Sequence, residues 1–196
     1  MRTYNVKLIK VEHMTTNREL IFVKPDAIER KLVGKIIARF EEAGFRIERM
    51  RKGRISPELA ALLYGDSEAQ LNGMGNKTLK AMMERGDEPK IMEIFGTKEP
   101  YRIGQTLNSW NKAYAVSADV IALIIQKEDA ANAARALVGK TDPSAADRGT
   151  IRGDFGEDSI YQGNLEKRAC RNLVHASDDD TAPTDVKNFE ERFFNS

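Results

Sequence analysis

Chemistry in this chain centres first on RNLVHASDD, Arg171 to Asp179, where one of only two histidines follows an apolar pair and precedes a hydroxyl and two carboxylates. An imidazole in that position can be a nucleophile, a metal ligand or an ordinary strand-end side chain. No HxH or HExxH spacing accompanies His175, so a metal site finds no second ligand at a usual separation. The other histidine, His13, falls in a weakly patterned N-terminal stretch and has no chemistry to read. Upstream, TDPSAADRGTIRGDF, Thr141 to Phe155, combines Arg148 and Arg152 with two threonines and two glycines and has no periodicity. Guanidinium groups and hydroxyls on a loop suit phosphate oxygens, because guanidinium donates paired hydrogen bonds. Arg135, one helical turn before Gly139, can reach the same space. The same loop also carries Asp142, Asp147 and Asp154 beside its arginines, and taken alone such a loop is more often a solvated surface. GMGNKT, Gly73 to Thr78, imitates a P-loop, yet Asn76 stands where glycine must precede the lysine and no apolar strand leads into it. A flexible loop running into a short helix over Asn76 to Glu84 is the reading adopted. Cys170 reads as a packed small apolar residue.

These residues need elements to hold them. ELIFV, Glu19 to Val23, is a buried strand stopped by Pro25, which leaves Lys24-Pro25-Asp26 at the strand end. Leu32, Val33, Ile36, Ile37 and Phe40 form one stripe of an amphipathic helix closed near Gly44. Phe45 and Ile47 alternate with charge up to Met50 as a half-buried strand. Ser56-Pro57 then starts a helix whose apolar face is Leu59, Leu62 and Leu63, with Tyr64 at its end. Val120 to Ile125 is a fully apolar strand, Ala130 to Val138 an alanine-rich helix ended by Gly139, and Asn172 to His175 the last core strand. Interleaved strands and helices predict an α/β sandwich of one mixed or antiparallel sheet with helices packed on it.

The 31 basic and 30 acidic residues nearly cancel, so any anion binding must be local and a nucleic-acid partner is not expected. One cysteine excludes an intramolecular disulfide. The N-terminal sequence has too short an apolar run for a signal peptide and no stretch reaches membrane-span length; a cytoplasmic, non-membrane protein is expected. A single domain over residues 18–196 is expected, with an N-terminal extension over 1–17. Two polar stretches read as insertions, one at about 65–113 and one at about 156–168.

Taken in order, Lys24-Pro25-Asp26, Gly34, Tyr64, Arg135, Thr141-Asp-Pro143, GTIRGDF at Gly149 to Phe155, and N-x-x-H-x-S-D at Asn172 to Asp178 closely resemble the nucleoside diphosphate kinase family. That resemblance implies a ferredoxin-like βαββαβ sandwich. It also implies transfer of the terminal phosphate of a nucleoside triphosphate such as ATP to a nucleoside diphosphate, by a ping-pong mechanism through phosphorylated His175. On the same basis Arg135, Thr141 and Arg152 would hold the phosphate chain, with Mg²⁺ carried by the phosphates rather than by direct protein ligands. Lys24 and Asn172 would touch the sugar hydroxyl and the moving phosphate, Tyr64 would pack beside His175, and Ser177 would orient the imidazole. A homo-oligomer is expected.

The chain departs from the family pattern in three ways. The usual C-terminal glutamate beside the histidine would fall at Val186, with Asp185 adjacent as the substitute. The residue stacking on the base would come from within the long insertion, where Leu107, Trp110 and Phe95 are the candidates. The second insertion stands between the phosphate loop and His175, where it could cover the site or build a subunit contact. These departures keep open a catalytically weak, regulatory nucleotide-binding protein of the same fold. An RNA-binding module of that fold is disfavoured because the aromatic RNP pattern is absent.

Overall fold

The computed structural model describes residues 17–195. His13 and all but the last residue of the expected extension lie outside them. The chain begins with β1 (Arg18–Val23), α1 (Pro25–Glu29), α2 (Val33–Glu42), β2 (Arg46–Gly53) and α3 (Pro57–Leu63). Helices α4 (Glu68–Glu84), α5 (Glu88–Phe95) and α6 (Pro100–Val116) follow, then β3 (Val120–Gln126) and α7 (Ala130–Val138). A 3₁₀ turn (Pro143–Ala145), α8 (Ile151–Phe155), α9 (Ile160–Leu165), β4 (Val174–Ala176) and α10 (Ala182–Phe189) complete it, and α10 runs on as a π-helical turn to Phe194.

The strands form one sheet in the order β2-β3-β1-β4, every neighbouring pair antiparallel. With α2 and α7 as the crossovers, this is the ferredoxin-like βαββαβ arrangement that the resemblance implied. Strand periodicity divides the core. Ile21 and Val23 of β1, with Leu123 and Ile125 of β3, pack against Ile36 and Phe40 of α2 and Ala134 and Val138 of α7. Leu20, Phe22, Ala122 and Ile124 turn to the other face, against Leu59 of α3 and Val186 and Phe189 of α10. Burying side chains of this size contributes roughly 1.5–3 kcal/mol each, so the two central strands are the most firmly held part of the molecule. The predicted caps recur: Ser56 Oγ accepts the Leu59 N–H at 3.2 Å, and Gly44 follows α2 with φ +81°. Leu62, expected on the apolar face of α3, is instead 44% exposed.

The segment read as polar insertion differs most from expectation. In place of one short helix at Asn76 to Glu84 there are three helices, and GMGNKT lies wholly inside α4. Its amides therefore belong to a helix and cannot wrap a phosphate. The order comes from tertiary packing. Gly75 and Gly104 are the points where α4 and α6 touch backbone to backbone: a Cβ on Gly75 would stand 1.9 Å from the Pro100 carbonyl oxygen, and one on Gly104 2.0 Å from that of Leu71. Met82, Ile91 and Ile103 then close a separate apolar cluster with Leu79, Ile94, Phe95 and Leu107. The second polar stretch also differs, forming α9 and packing on the first. Tyr161 of α9 donates to the Asp87 carboxylate and accepts from Lys90 Nζ at 3.1 Å, while Arg85 lies over its ring at 4.5 Å. Among the described residues no helix is long and apolar enough to cross a membrane.

Candidate active site

The last core strand begins later than its apolar sequence suggests. Asn172 and Leu173 lie before β4, because Leu173 takes a left-handed backbone, φ +68°. The Val174 N–H there turns back to the Asn172 carbonyl at 2.8 Å. This tight turn is gripped by the end of β1. The Lys24 N–H donates to the Leu173 carbonyl at 2.8 Å, and the Leu173 N–H donates to Asp26 Oδ2 at 3.0 Å. His175 then enters β4 opposite Phe22.

Around this turn the predicted residues converge. Lys24 Nζ donates to Asn172 Oδ1 at 2.7 Å, and Asn172 Nδ2 donates to the Thr141 carbonyl at 2.9 Å. Tyr64, at the end of α3, meets the imidazole edge-on with ring centroids 5.6 Å apart, and Lys24 Nζ lies 5.9 Å from the tyrosine ring centre. Arg152, set on α8 and only 8% exposed, gives three N–H groups to carbonyls: Asn172 at 3.1 Å, Val174 at 2.6 Å and Gly139 at 2.8 Å. A guanidinium has five such donors, so two remain for a ligand while the others tie the phosphate-type loop to the histidine strand. Arg135 is exposed and ion-paired with Asp178. The Ser177 hydroxyl is turned to Asp185 Oδ2 at 2.7 Å, and the Ser177 N–H to Glu19 Oε1 at 2.7 Å.

The charge balance fits an anion. Burial, then the neighbouring Lys24, Arg152 and Arg135, push the His175 pKa down from 6.5 to about 3, so the imidazole is neutral at ordinary pH. Burial and Arg152 lower Lys24 to about 8 against the opposing pull of Asp26. Burial raises Tyr64, keeping its phenol protonated, and raises Cys170 to about 12, so that thiol is inert. Nε2 of His175 is shielded from solvent and has no hydrogen-bond partner among the described residues. Asp185, the expected substitute for the glutamate, is buried and is bonded to Ser177 rather than to that nitrogen. The three candidates for stacking on the base pack within α5 and α6: Phe95 and Trp110 stack with centroids 5.8 Å apart, and Leu107 joins the Met82 cluster. Among the described residues no group of three or more His, Cys, Asp or Glu side chains could hold a metal ion.

Reading the sequence assigned no role to Asp26, Tyr114 or Glu19. Asp26 stood in the quoted strand-end triplet and was open to notice. Tyr114 and Glu19 had no local signal, since their partners are distant in the chain.

A profile of the family described as nucleoside diphosphate kinase matches residues 17–87 and 103–193. The unmatched residues 88–102 hold α5 and the start of α6. A nucleoside diphosphate kinase of Pyrobaculum aerophilum is 39% identical over 165 residues, which covers 84% of this chain and 89% of that protein. A crystal structure of an NDP kinase from the same organism superposes with a TM-score of 0.83 at 36% identity, covering 90% of this chain and 97% of that one. A halophilic nucleoside diphosphate kinase from Halobacterium salinarum, solved in complex with CDP, gives a TM-score of 0.54 at 26% identity, covering 91% and 88% of the two chains. With this extent of matching, the chain belongs to the nucleoside diphosphate kinase family of phosphotransferases.

Proposed function

We propose that the protein moves the terminal phosphate of a nucleoside triphosphate to a nucleoside diphosphate in two half-reactions, through a phosphate carried on His175. The observation that supports this most is geometric: Lys24 bonded to Asn172, Arg152 bonded to Val174 and Tyr64 edge-on to the imidazole surround His175, whose pKa is lowered by burial and then by the charges of Lys24, Arg152 and Arg135. A neutral imidazole nitrogen has a free lone pair and attacks phosphorus without a separate base. Because Nε2 is shielded, Nδ1 is the nitrogen for the incoming phosphate. The N–P bond forms as the P–O bond to the departing nucleoside diphosphate breaks, and the second half-reaction reverses this toward a new diphosphate. Lys24 and Arg152 offer charge to the oxygens on which it accumulates. Arg135 exchanges the Asp178 carboxylate for phosphate, Thr141 and Asn172 complete the cradle, Tyr64 confines the ring, and Ser177 fixes the strand end through Asp185. Mg²⁺, if bound, would be held mainly by the phosphate oxygens of the nucleotide and would supply screening of their charge beside Lys24, Arg135 and Arg152. The CDP complex of the Halobacterium protein supports nucleotides as partners. A cytoplasmic homo-oligomer completes the reading.

Labelled ATP with magnesium and no acceptor should produce an acid-labile, base-stable phosphoprotein in the wild type and none in His175→Ala. Added diphosphate should then discharge the label. No labelling of wild type, or persistence in His175→Ala, would remove the phosphohistidine. The unpartnered Nε2 is what favours the second reading, a weakly active regulatory nucleotide binder, which predicts nucleotide binding by calorimetry without phosphate exchange.

A further inference from the structure

Leucine rarely holds a left-handed backbone, and such a residue persists only where its surroundings over-determine it. Leu173 is such a residue, fully buried, with φ +68°, and it joins Asn172 to the strand of His175. Both of its backbone polar groups are taken by the segment after β1. Its carbonyl accepts the Lys24 N–H at 2.8 Å and its N–H reaches Asp26 Oδ2 at 3.0 Å. Asp26 is only 3% exposed, and its second oxygen is also occupied. Tyr114 O–H donates to Asp26 Oδ1 at 2.9 Å while the same phenol oxygen accepts the Asp26 N–H at 2.9 Å. Tyr114 stands near the C-terminal end of α6, the helix that packs on α4 through Gly104. A reciprocal pair thus fixes a carboxylate, and the carboxylate fixes the turn.

We infer that Asp26, braced by Tyr114, is a positioning residue. It holds the left-handed turn at Leu173 and thereby sets the Asn172 amide and the His175 ring where phosphoryl transfer needs them. The inference rests on the reading of His175 as the phosphorylated group. Release of the Leu173 N–H would let the turn relax toward extended backbone, carrying Asn172 away from Lys24 and tilting β4 at its first residue. Asparagine at 26 preserves the grip, since its oxygen can accept the Leu173 N–H and its amide can donate to the Tyr114 oxygen. Alanine removes it.

The test is rapid-quench measurement of phosphoprotein formation from labelled ATP, with amide hydrogen exchange at Leu173 followed in parallel. Asp26→Ala should slow labelling about 100-fold, the scale of a displacement of ~1 Å at a reacting group. Asp26→Asn should stay within about tenfold of wild type, because the acceptor survives. In a Leu173→Gly background, where positive φ carries no Cβ penalty, adding Asp26→Ala should cost less than about a further tenfold. Should that background not fold, the Ala and Asn variants together with the exchange measurement decide. Labelling by Asp26→Ala at the wild-type rate, or a Leu173 amide that remains as protected in Asp26→Ala as in wild type, overturns the inference. Persistence of label in His175→Ala is a different failure: it removes the phosphohistidine, while amide exchange still decides whether Asp26 holds the turn.

Discussion

Replacing Glu19 with glutamine should stabilise the protein in alkali and change it little in acid. Glu19 is fully buried; one carboxyl oxygen accepts the Ser177 N–H at 2.7 Å and the other has no partner among the described residues. Burial is the largest cause raising its pKa from 4.5 to about 8; the hydrogen bonds from Ser177 oppose the rise and nearby Asp185 adds to it. A carboxyl raised in this way keeps its proton in the folded state while the unfolded chain sheds it. Its contribution to stability is therefore complete below the unfolded value and is lost as pH climbs toward the folded one. Each pH unit in which only the folded state holds the proton costs about 1.4 kcal/mol. Between about pH 5.5 and about pH 8.5, part of which lies above the folded pKa, the loss comes to ~3 kcal/mol. Glutamine has no such proton, keeps an acceptor for Ser177, and should not share the decline. Urea unfolding followed by Trp110 fluorescence at both pH values measures it. The advantage of Glu19→Gln over wild type should grow by ~3 kcal/mol from the lower to the higher pH. Parallel pH profiles for the two proteins would mean that Glu19 is charged in the fold, and the reasoning would be wrong.

Lys24, held near 8 by burial and Arg152, loses its charge as pH rises through that value. Phosphoryl transfer should fall over the same range, and Lys24→Arg should move the fall to higher pH in a pH–rate profile. Gly104→Ala should destabilise by about 1–3 kcal/mol in denaturant titration, because its Cβ meets the Leu71 carbonyl and forces α4 and α6 apart. Gly73→Ala, with nothing near its added methyl, should instead gain up to about 1 kcal/mol from helix propensity. Arg152→Ala should lose about 100-fold in phosphate exchange, since it removes a ligand cation and takes from the Val174 carbonyl the donor it accepts. Arg148→Ala, on an exposed side chain, should lose little; equal losses in a coupled assay would mean the loop is wrongly assigned.

Much of this molecule is decided locally. The apolar runs at Glu19 to Val23 and Val120 to Ile125, the stripe of α2 and the cap at Ser56 each depend on near neighbours, so periodicity and cap chemistry locate them within a residue or two. The site was legible differently. His175 drew nothing from its flanking residues alone; its distinction came from the ordered set of Lys24, Arg135, Thr141, Arg152 and Asn172, of which the structure joins all but Arg135 by hydrogen bonds at one turn, while Arg135 pairs with Asp178. Where polarity and glycine suggested an insertion at about 65–113 with one short helix at Asn76 to Glu84, three helices form, because Gly75 and Gly104 serve close helix packing, a pairing that neither segment announces alone.

The sequence by itself determined the family, the strands and helices of the core, and which side chains could meet a phosphate. Only the tertiary structure decided that Leu173 turns left-handed, that Arg152 is spent largely on carbonyls, and that Ser177 is held between Glu19 and Asp185. The physical reason is the same in each case: these arrangements rest on hydrogen bonds between different elements of the fold rather than within one of them. Such bonds have no periodicity along the sequence and exist only once the two surfaces have been brought together and water has been excluded from between them.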